Sequence, residues 1–250
     1  MKITTILQIG LPLGVLFFSA CKKNPVSIDN KPLETTIQTN IPANSIDTSG
    51  TVTLSWNNDE QKNEFRFSID GKTWSNWSTR TIFSDLFDDG DHVFKLQSRV
   101  IRASTTVYDT IYFKVKTLKD PAVYLYPRKA IIKDGLATFT LNTKGLPESH
   151  SLKLVISGGV LSSVNNKFSK SLDVILLTDD NTINLGVGPQ STAIQGDMAL
   201  LDLAIKPAGS SDTSNISISE CIVRDSDHND VNLKTIRGAI AVSPLTISEN

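Results

Sequence analysis

The sequence predicts an all-β protein built as two tandem β-sandwich domains. Three observations carry that expectation. Beyond residue 44, apolar residues recur in short runs at every second position, Gly, Asp, Asn and Pro separate those runs, and no stretch shows the 3.6-residue apolar period of an amphipathic helix. The chain has 250 residues, enough for two domains of roughly 100–150 residues each.

Taken in order, a first group of strands is expected at 35–40, 51–57, 64–70, 79–84, 92–101 and 106–116. Their inward residues follow from spacing two: Val52, Leu54 and Trp56; Phe65, Phe67 and Ile69; Phe94, Leu96 and Ser98; Ile111, Phe113 and Val115. Asp70-Gly71 marks a tight primed turn, because both residues tolerate positive φ, and Asp88-Asp89-Gly90 marks a second turn. The first group ends at Thr117-Leu118-Lys119-Asp120-Pro121, where charged residues meet a proline that cannot donate to a ladder.

A second group of strands is expected at 122–126, 136–143, 151–157, 172–177, 182–187, 197–206, 215–224 and 238–242. In the strand at 197–206, Ala199, Leu201, Leu203 and Ile205 fall on one face, with Asp202 and Lys206 on the other. Cys221 lies in a β-type run and reads as a small buried strand residue.

The N-terminus sets the compartment. It carries one basic residue, Lys2, then an apolar stretch from Ile6 to Phe18 interrupted by Gly10, Pro12 and Gly14. A helix crossing the hydrocarbon core needs about 20 residues, so this shorter stretch reads as an export signal. Phe18-Ser19-Ala20-Cys21 resembles the lipobox of bacterial lipoproteins, with Phe18 where the family usually has Leu. The resemblance implies a signal peptide over 1–20, lipidation of Cys21 and attachment to the membrane through an N-terminal lipid anchor. Lys22 stands where Asp is associated with inner-membrane retention, so the resemblance points to the outer membrane, facing either the periplasm or the exterior. Residues 21–44, polar and holding Pro25, Pro32 and Pro42, then read as a spacer. That leaves 45–117 and 118–250 for the two domains.

Two further resemblances rest on particular residues. Thr53-Leu54-Ser55-Trp56, the run from Phe65 to Trp74 and the run from Leu86 to Leu96 resemble the fibronectin type III and immunoglobulin-like modules of bacterial exported proteins, with Phe65 and Phe67 where that family often has Tyr. The runs from Ala122 to Pro127, Gly135 to Asn142, Leu152 to Leu161 and Gly196 to Lys206, with Ile216 to Asp230, resemble the cohesin-like and carbohydrate-binding sandwiches of bacterial surface proteins. Ile156-Ser157-Gly158-Gly159 replaces the phrase that the family carries before its loop. The resemblances imply spacing and presentation for the first domain and binding for the second.

Charge and motifs narrow the function. Twenty-five Lys plus Arg against 26 Asp plus Glu give a formal charge of -1, which provides no general drive towards nucleic acid. No zinc helix, nucleophile elbow or phosphate loop occurs, and His92, His150 and His228 are far apart in the chain, so the expected function is non-catalytic. Trp74-Ser75-Asn76-Trp77 is the candidate ligand site, since indoles can stack on sugar rings beside amides and hydroxyls, although Trp74, like Trp56, reads also as a structural residue that closes the core. Trp77 is the better candidate for exposure. Asp85, Asp88, Asp89 and Asp91 offer oxygen ligands for Ca²⁺, or else form a solvated turn.

Asp225, Asp227, Asn229 and Asp230 form a second candidate Ca²⁺ site, and Ca²⁺ is the one cofactor to which the sequence points. An EF-hand fails because Asp230 and Ile236 occupy its Gly and Glu positions, and Asx-type turn bonds explain the same pattern. The sequence thus points to a lipid-anchored binding protein that contacts a protein partner through its cohesin-like domain, with capture of a glycan as the alternative.

Overall fold

An alternating apolar row becomes a strand with a buried face once a second sheet covers it, and the same chain does this twice. The computed structural model describes residues 35–41, 46–57, 63–101, 104–167, 174–188, 193–209 and 211–244. The expected signal peptide and Cys21, with most of the spacer, lie outside the described residues. Among the described residues every regular element is a strand.

The first seven are β1 (Ile37–Thr39), β2 (Ile46–Asp47), β3 (Thr51–Trp56), β4 (Asn63–Ile69), β5 (Ile82–Leu86), β6 (Gly90–Val100) and β7 (Val107–Val115). They form a three-stranded sheet of order β1-β3-β5 and a four-stranded sheet of order β2-β7-β6-β4. Val52, Leu54 and Trp56 face Phe65, Phe94, Leu96, Phe113 and Val115 across the interior, as their spacing requires. Each such side chain contributes about 1.5–3 kcal/mol by leaving water. Because β1 pairs with β3, Ile37 opposite Trp56, the first sandwich already includes residues before 45.

The strand expected at 79–84 is displaced to Ile82–Leu86 and pairs with β3, in the other sheet from β4. The cause is the Asp70-Gly71 turn, with φ of 51° and 72°, which first sends the chain back along the edge of β4. Ser75 and Ser78 donate to Phe67 and Phe65 carbonyls at 2.8 and 2.9 Å on that return.

The remaining strands are β8 (Ala122–Tyr126), β9 (Lys129–Ile131), β10 (Ala137–Ser149), β11 (Ser151–Ser157), β12 (Gly159–Asn166), β13 (Val174–Asp179), β14 (Thr182–Val187), β15 (Ile194–Pro207), β16 (Thr213–Arg224), β17 (Thr235–Arg237) and β18 (Ala239–Val242). A five-stranded sheet of order β12-β15-β10-β8-β17 packs on a six-stranded sheet of order β13-β14-β11-β16-β18-β9. Leu125, Phe139, Leu141, Leu203 and Ile205 meet Leu152, Leu154, Ile183, Leu185 and Val223 between them. β9, β12 and β17 were not expected from the pattern: two are three residues long, and β12 is mostly polar and exposed at a sheet edge. The chain passes from β11 to β12, and so between sheets, at Gly158, whose φ is +90° and whose added Cβ would lie 1.8 Å from the Asn215 carbonyl oxygen.

One face assignment is corrected. Leu141 pairs with Leu201 but Asn142 with Ala199, so a β-bulge inserts Leu200 into β15. Leu200 and Leu201 are both buried, whereas Ala199 is exposed on the opposite face from Leu201, Leu203 and Ile205.

The acidic turn after β5 is corrected too, for Asp85, Asp88 and Asp89 are neither solvated nor free. The Asp89 carboxylate accepts from the Thr117 and Leu118 amides, each at 2.9 Å, from the Thr117 hydroxyl at 2.6 Å and from Arg237 Nη1 at 3.0 Å. Asp88 accepts from the Arg128 amide at 2.9 Å, and Arg128 Nη1 donates to the Phe87 carbonyl at 3.1 Å. Lys129 Nζ donates to both Asp85 oxygens, at 2.7 and 2.8 Å. Of the group, Asp91 alone is turned away, pairing with Lys114 on its own sheet at 3.2 Å. Arg237 packs over the Tyr124 ring, and Thr235 exchanges hydrogen bonds with Lys119 through its hydroxyl. These contacts join the two sandwiches across the segment from Thr117 to Pro121.

Candidate functional site

The return of the chain after the Asp70-Gly71 turn lays Trp74 and Trp77 over the outer face of the four-stranded sheet. Both indoles are half-buried. The Arg66 guanidinium of β4 lies 5.2 Å from the centroid of Trp74 and 4.7 Å from that of Trp77, and the Arg99 guanidinium of β6 lies 4.0 Å from Trp77. Arg and Trp stack because the cation is attracted to the negative ring face. Trp77 is therefore not the free platform expected of it, since two guanidinium groups occupy its ring.

The stack is tied to the sheet beneath it. Arg66 Nε donates to Gln97 Oε1 at 2.6 Å, Gln97 Nε2 donates to the Tyr108 hydroxyl at 2.7 Å, and Tyr108 meets Trp74 edge-on at 6.4 Å. Gln97 points outward from the sheet yet is only 3% exposed, because this layer covers it. Arg99 is held by Glu64 at 2.7 Å.

Beside the stack, β7 presents Tyr108 and Tyr112 at 63% and 75% exposure. Sequence reasoning missed both tyrosines as well as Arg66 and Arg99. The signal was present: Tyr108, Thr110, Tyr112 and Lys114 have the opposite parity to Ile111, Phe113 and Val115, which the pattern sends inward.

The second sandwich carries a different surface, a shallow groove of about 530 Å³ on the outer face of its six-stranded sheet. Its form follows from residue size along the register. Gly186 of β14 and Ser151 of β11 lie opposite each other on adjacent strands, flanked by Ile175 on β13 and Arg224 on β16. Leu177 and Ile222 extend the walls, and Lys153 pairs with Glu220 at 2.9 Å alongside. Ile175 and Leu177 are 64% and 63% exposed.

The 225–230 turn is closed by its own bonds. Asp225 Oδ1 accepts from the Asp227 and Asn229 amides at 2.9 and 2.8 Å, and Asp230 bonds to Arg224 Nε at 3.0 Å. The Asn229 backbone bond, ahead of the opposing cost of burial, holds the Asp225 carboxyl below its ordinary range. Among the described residues, no group of three or more His, Cys, Asp or Glu is placed to hold a metal ion.

Of the histidines, His92 lies beside Phe87 and Phe113 and bonds through its ring nitrogens to Asp70 Oδ2 and the Asp88 carbonyl oxygen, both at 2.9 Å. His150 lies 3.5 Å from Glu148 at the surface, and His228 is in the 225–230 turn with φ of 66°.

No protein-family model matches the chain, and no curated protein matches it. Solved structures do. A non-cellulosomal cohesin from the archaeon Archaeoglobus fulgidus is similar over 50% of this chain and 92% of its own, with 12% identity and a TM-score of 0.39. The cohesin module of a family 33 glycoside hydrolase from Clostridium perfringens covers 52% of this chain and 100% of its own, with 16% identity and a TM-score of 0.37. The fibronectin(III)-like modules of CbhA from Clostridium thermocellum are similar over 83% of this chain and 94% of their own, with 12% identity and a TM-score of 0.27.

Proposed function

We propose that the protein is a non-catalytic binding protein, anchored to the outer membrane by lipid on Cys21, whose second sandwich docks a protein partner on its six-stranded sheet. The observation that carries this reading is the groove walled by Ile175, Leu177 and Ile222, with charged Lys153, Glu220 and Arg224 around it. Apolar side chains left exposed together and rimmed by charge are the usual composition of a protein contact. The clamp at Asp89 and Arg237 supports it as well, since a fixed relation between the sandwiches would present the groove in a constant orientation to the anchor.

A photo-crosslinking amino acid at position 177, introduced into the protein in its own cells, tests this. One discrete protein adduct that Ile175→Asp removes is the expected outcome. A lack of any protein adduct, or adducts indifferent to Ile175→Asp, would sink the reading.

A second reading, capture of a glycan by the first sandwich, is favoured by one observation, the exposure of Tyr108 and Tyr112 beside the half-buried Trp74. Aromatic rings on a flat sheet can stack on sugar rings without a deep cleft.

A further inference from the structure

The outer face of the four-stranded sheet carries more than aromatic rings. Cross-strand register places Lys95 of β6 opposite Thr110, the residue midway between Tyr108 and Tyr112 on β7. Lys95 is exposed and, among the described residues, has no carboxylate partner. Arg66 is likewise without one, its Nε being bound to the neutral Gln97 amide. The other cations of this face are neutralised, Arg99 by Glu64 and Lys114 by Asp91. Among the described residues, two positive charges without a carboxylate partner therefore lie beside the exposed rings.

We infer that this face is a binding site for an anionic polysaccharide, with sugar rings stacked on Tyr108 and Tyr112 and acidic groups met by Lys95 and Arg66. The inference rests on the glycan-capture reading and specifies its ligand class. Four residues of strand separate the two tyrosines by about 13 Å, too far for one sugar ring to touch both, so the ligand is an extended chain lying along β7. Tyr108 is fixed in advance by Gln97 and Trp74, which lowers the entropy cost of binding, and its hydroxyl, having accepted from Gln97, still has a proton to donate. Arg66 is held in place by the stack and offers its remaining N–H groups in a plane that suits a carboxylate. The charge of the face selects for acid, and the isolated, spaced rings select for a repeating ring polymer over a contiguous apolar protein surface.

Affinity electrophoresis of the detergent-solubilised full-length protein in gels containing polygalacturonate, neutral galactan or polyglutamate tests the inference. Polygalacturonate should retard the protein, Tyr112→Ala should weaken that retardation about tenfold, as loss of one aromatic stack implies, and Lys95→Glu should abolish it. Tyr112 and Lys95 are both exposed, so an unchanged melting temperature for each variant would exclude unfolding as the cause.

Retardation by galactan equal to that by polygalacturonate, unaffected by Lys95→Glu, would overturn the acidic ligand while leaving glycan capture standing. No retardation by either glycan would overturn both. Equal retardation by polyglutamate, indifferent to Tyr112→Ala, would show a surface that reads charge alone, as an acidic peptide would, and would overturn the inference.

Discussion

The two cysteines stand in different sequence settings, Cys21 after the small residues Ser19 and Ala20 and Cys221 within a β-type run. Cys221 is held in β16 opposite Leu154, and burial pushes its thiol up to about 12, so almost none is thiolate near neutral pH. Cys21, by its lipobox-like setting, is expected to carry lipid instead. Radiolabelled palmitate should enter the wild-type protein and be lost in Cys21→Ala. In that variant iodoacetamide at pH 8 should leave Cys221 unmodified until denaturant is added. Palmitate labelling that ignores the substitution, or rapid alkylation of the folded variant, would contradict these assignments. Period two already marked Cys221 as a strand residue, but the upward push on its thiol depends on the neighbouring strand and facing sheet that partly bury it.

At the scale of elements, the bulge in β15 matters most. A strict alternation would bury Ala199 and expose Leu200; the extra residue reverses both. Leu200→Ala is accordingly expected to cost about 2–5 kcal/mol, as a buried leucine truncation does, while Ala199→Ser should change stability by less than about 0.5 kcal/mol. Urea denaturation of the two variants checks this, and equal effects would place the bulge elsewhere. The same strand shows what alternation reveals. Leu201, Leu203 and Ile205 were legible because a one-residue slip there would expose all three. The bulge was not, because nothing in Met198-Ala199-Leu200-Leu201 says which of two adjacent leucines is the inserted one. For the outer face of the first sandwich, parity placed Tyr108 and Tyr112 outward, yet the Trp74, Arg66, Trp77 and Arg99 stack depends on residues from three separate segments.

Across the whole molecule, the junction couples the sandwiches through charge. Burial disfavours the ionised form of Asp89, but the Thr117 hydroxyl, the Leu118 and Thr117 amides and Arg237 outweigh it and hold the carboxyl below its ordinary value of 3.8. A group depressed in the folded state contributes stability that is fully present above its ordinary pKa and is lost as pH falls through the lowered one. The junction should therefore be intact at pH 7 and loosen below about pH 4. Arg237→Ala, which leaves the Asp89 charge with its Thr117 and Leu118 hydrogen bonds but without its counter-ion, should destabilise by about 1–2 kcal/mol at pH 7 and by less at pH 3, as acidification begins to protonate Asp89 and relieve the unpaired charge. Thermal unfolding at the two pH values measures the difference. An Arg237→Ala effect that grows on acidification would contradict the clamp.

The sequence by itself determined most of the strands and most of the apolar face of each sandwich, because period two and the turn residues are local properties of the chain. Tertiary structure alone decided the roles of the polar residues. Asp85, Asp88 and Asp89 looked like a solvated turn or a cation site until Arg128, Lys129 and Arg237, distant in the chain, met them, and Trp77 looked like a platform until Arg66 and Arg99 covered it. The physical reason is that burial of an apolar face is encoded by its own spacing, whereas the state of a charge or an aromatic ring depends on what packs against it.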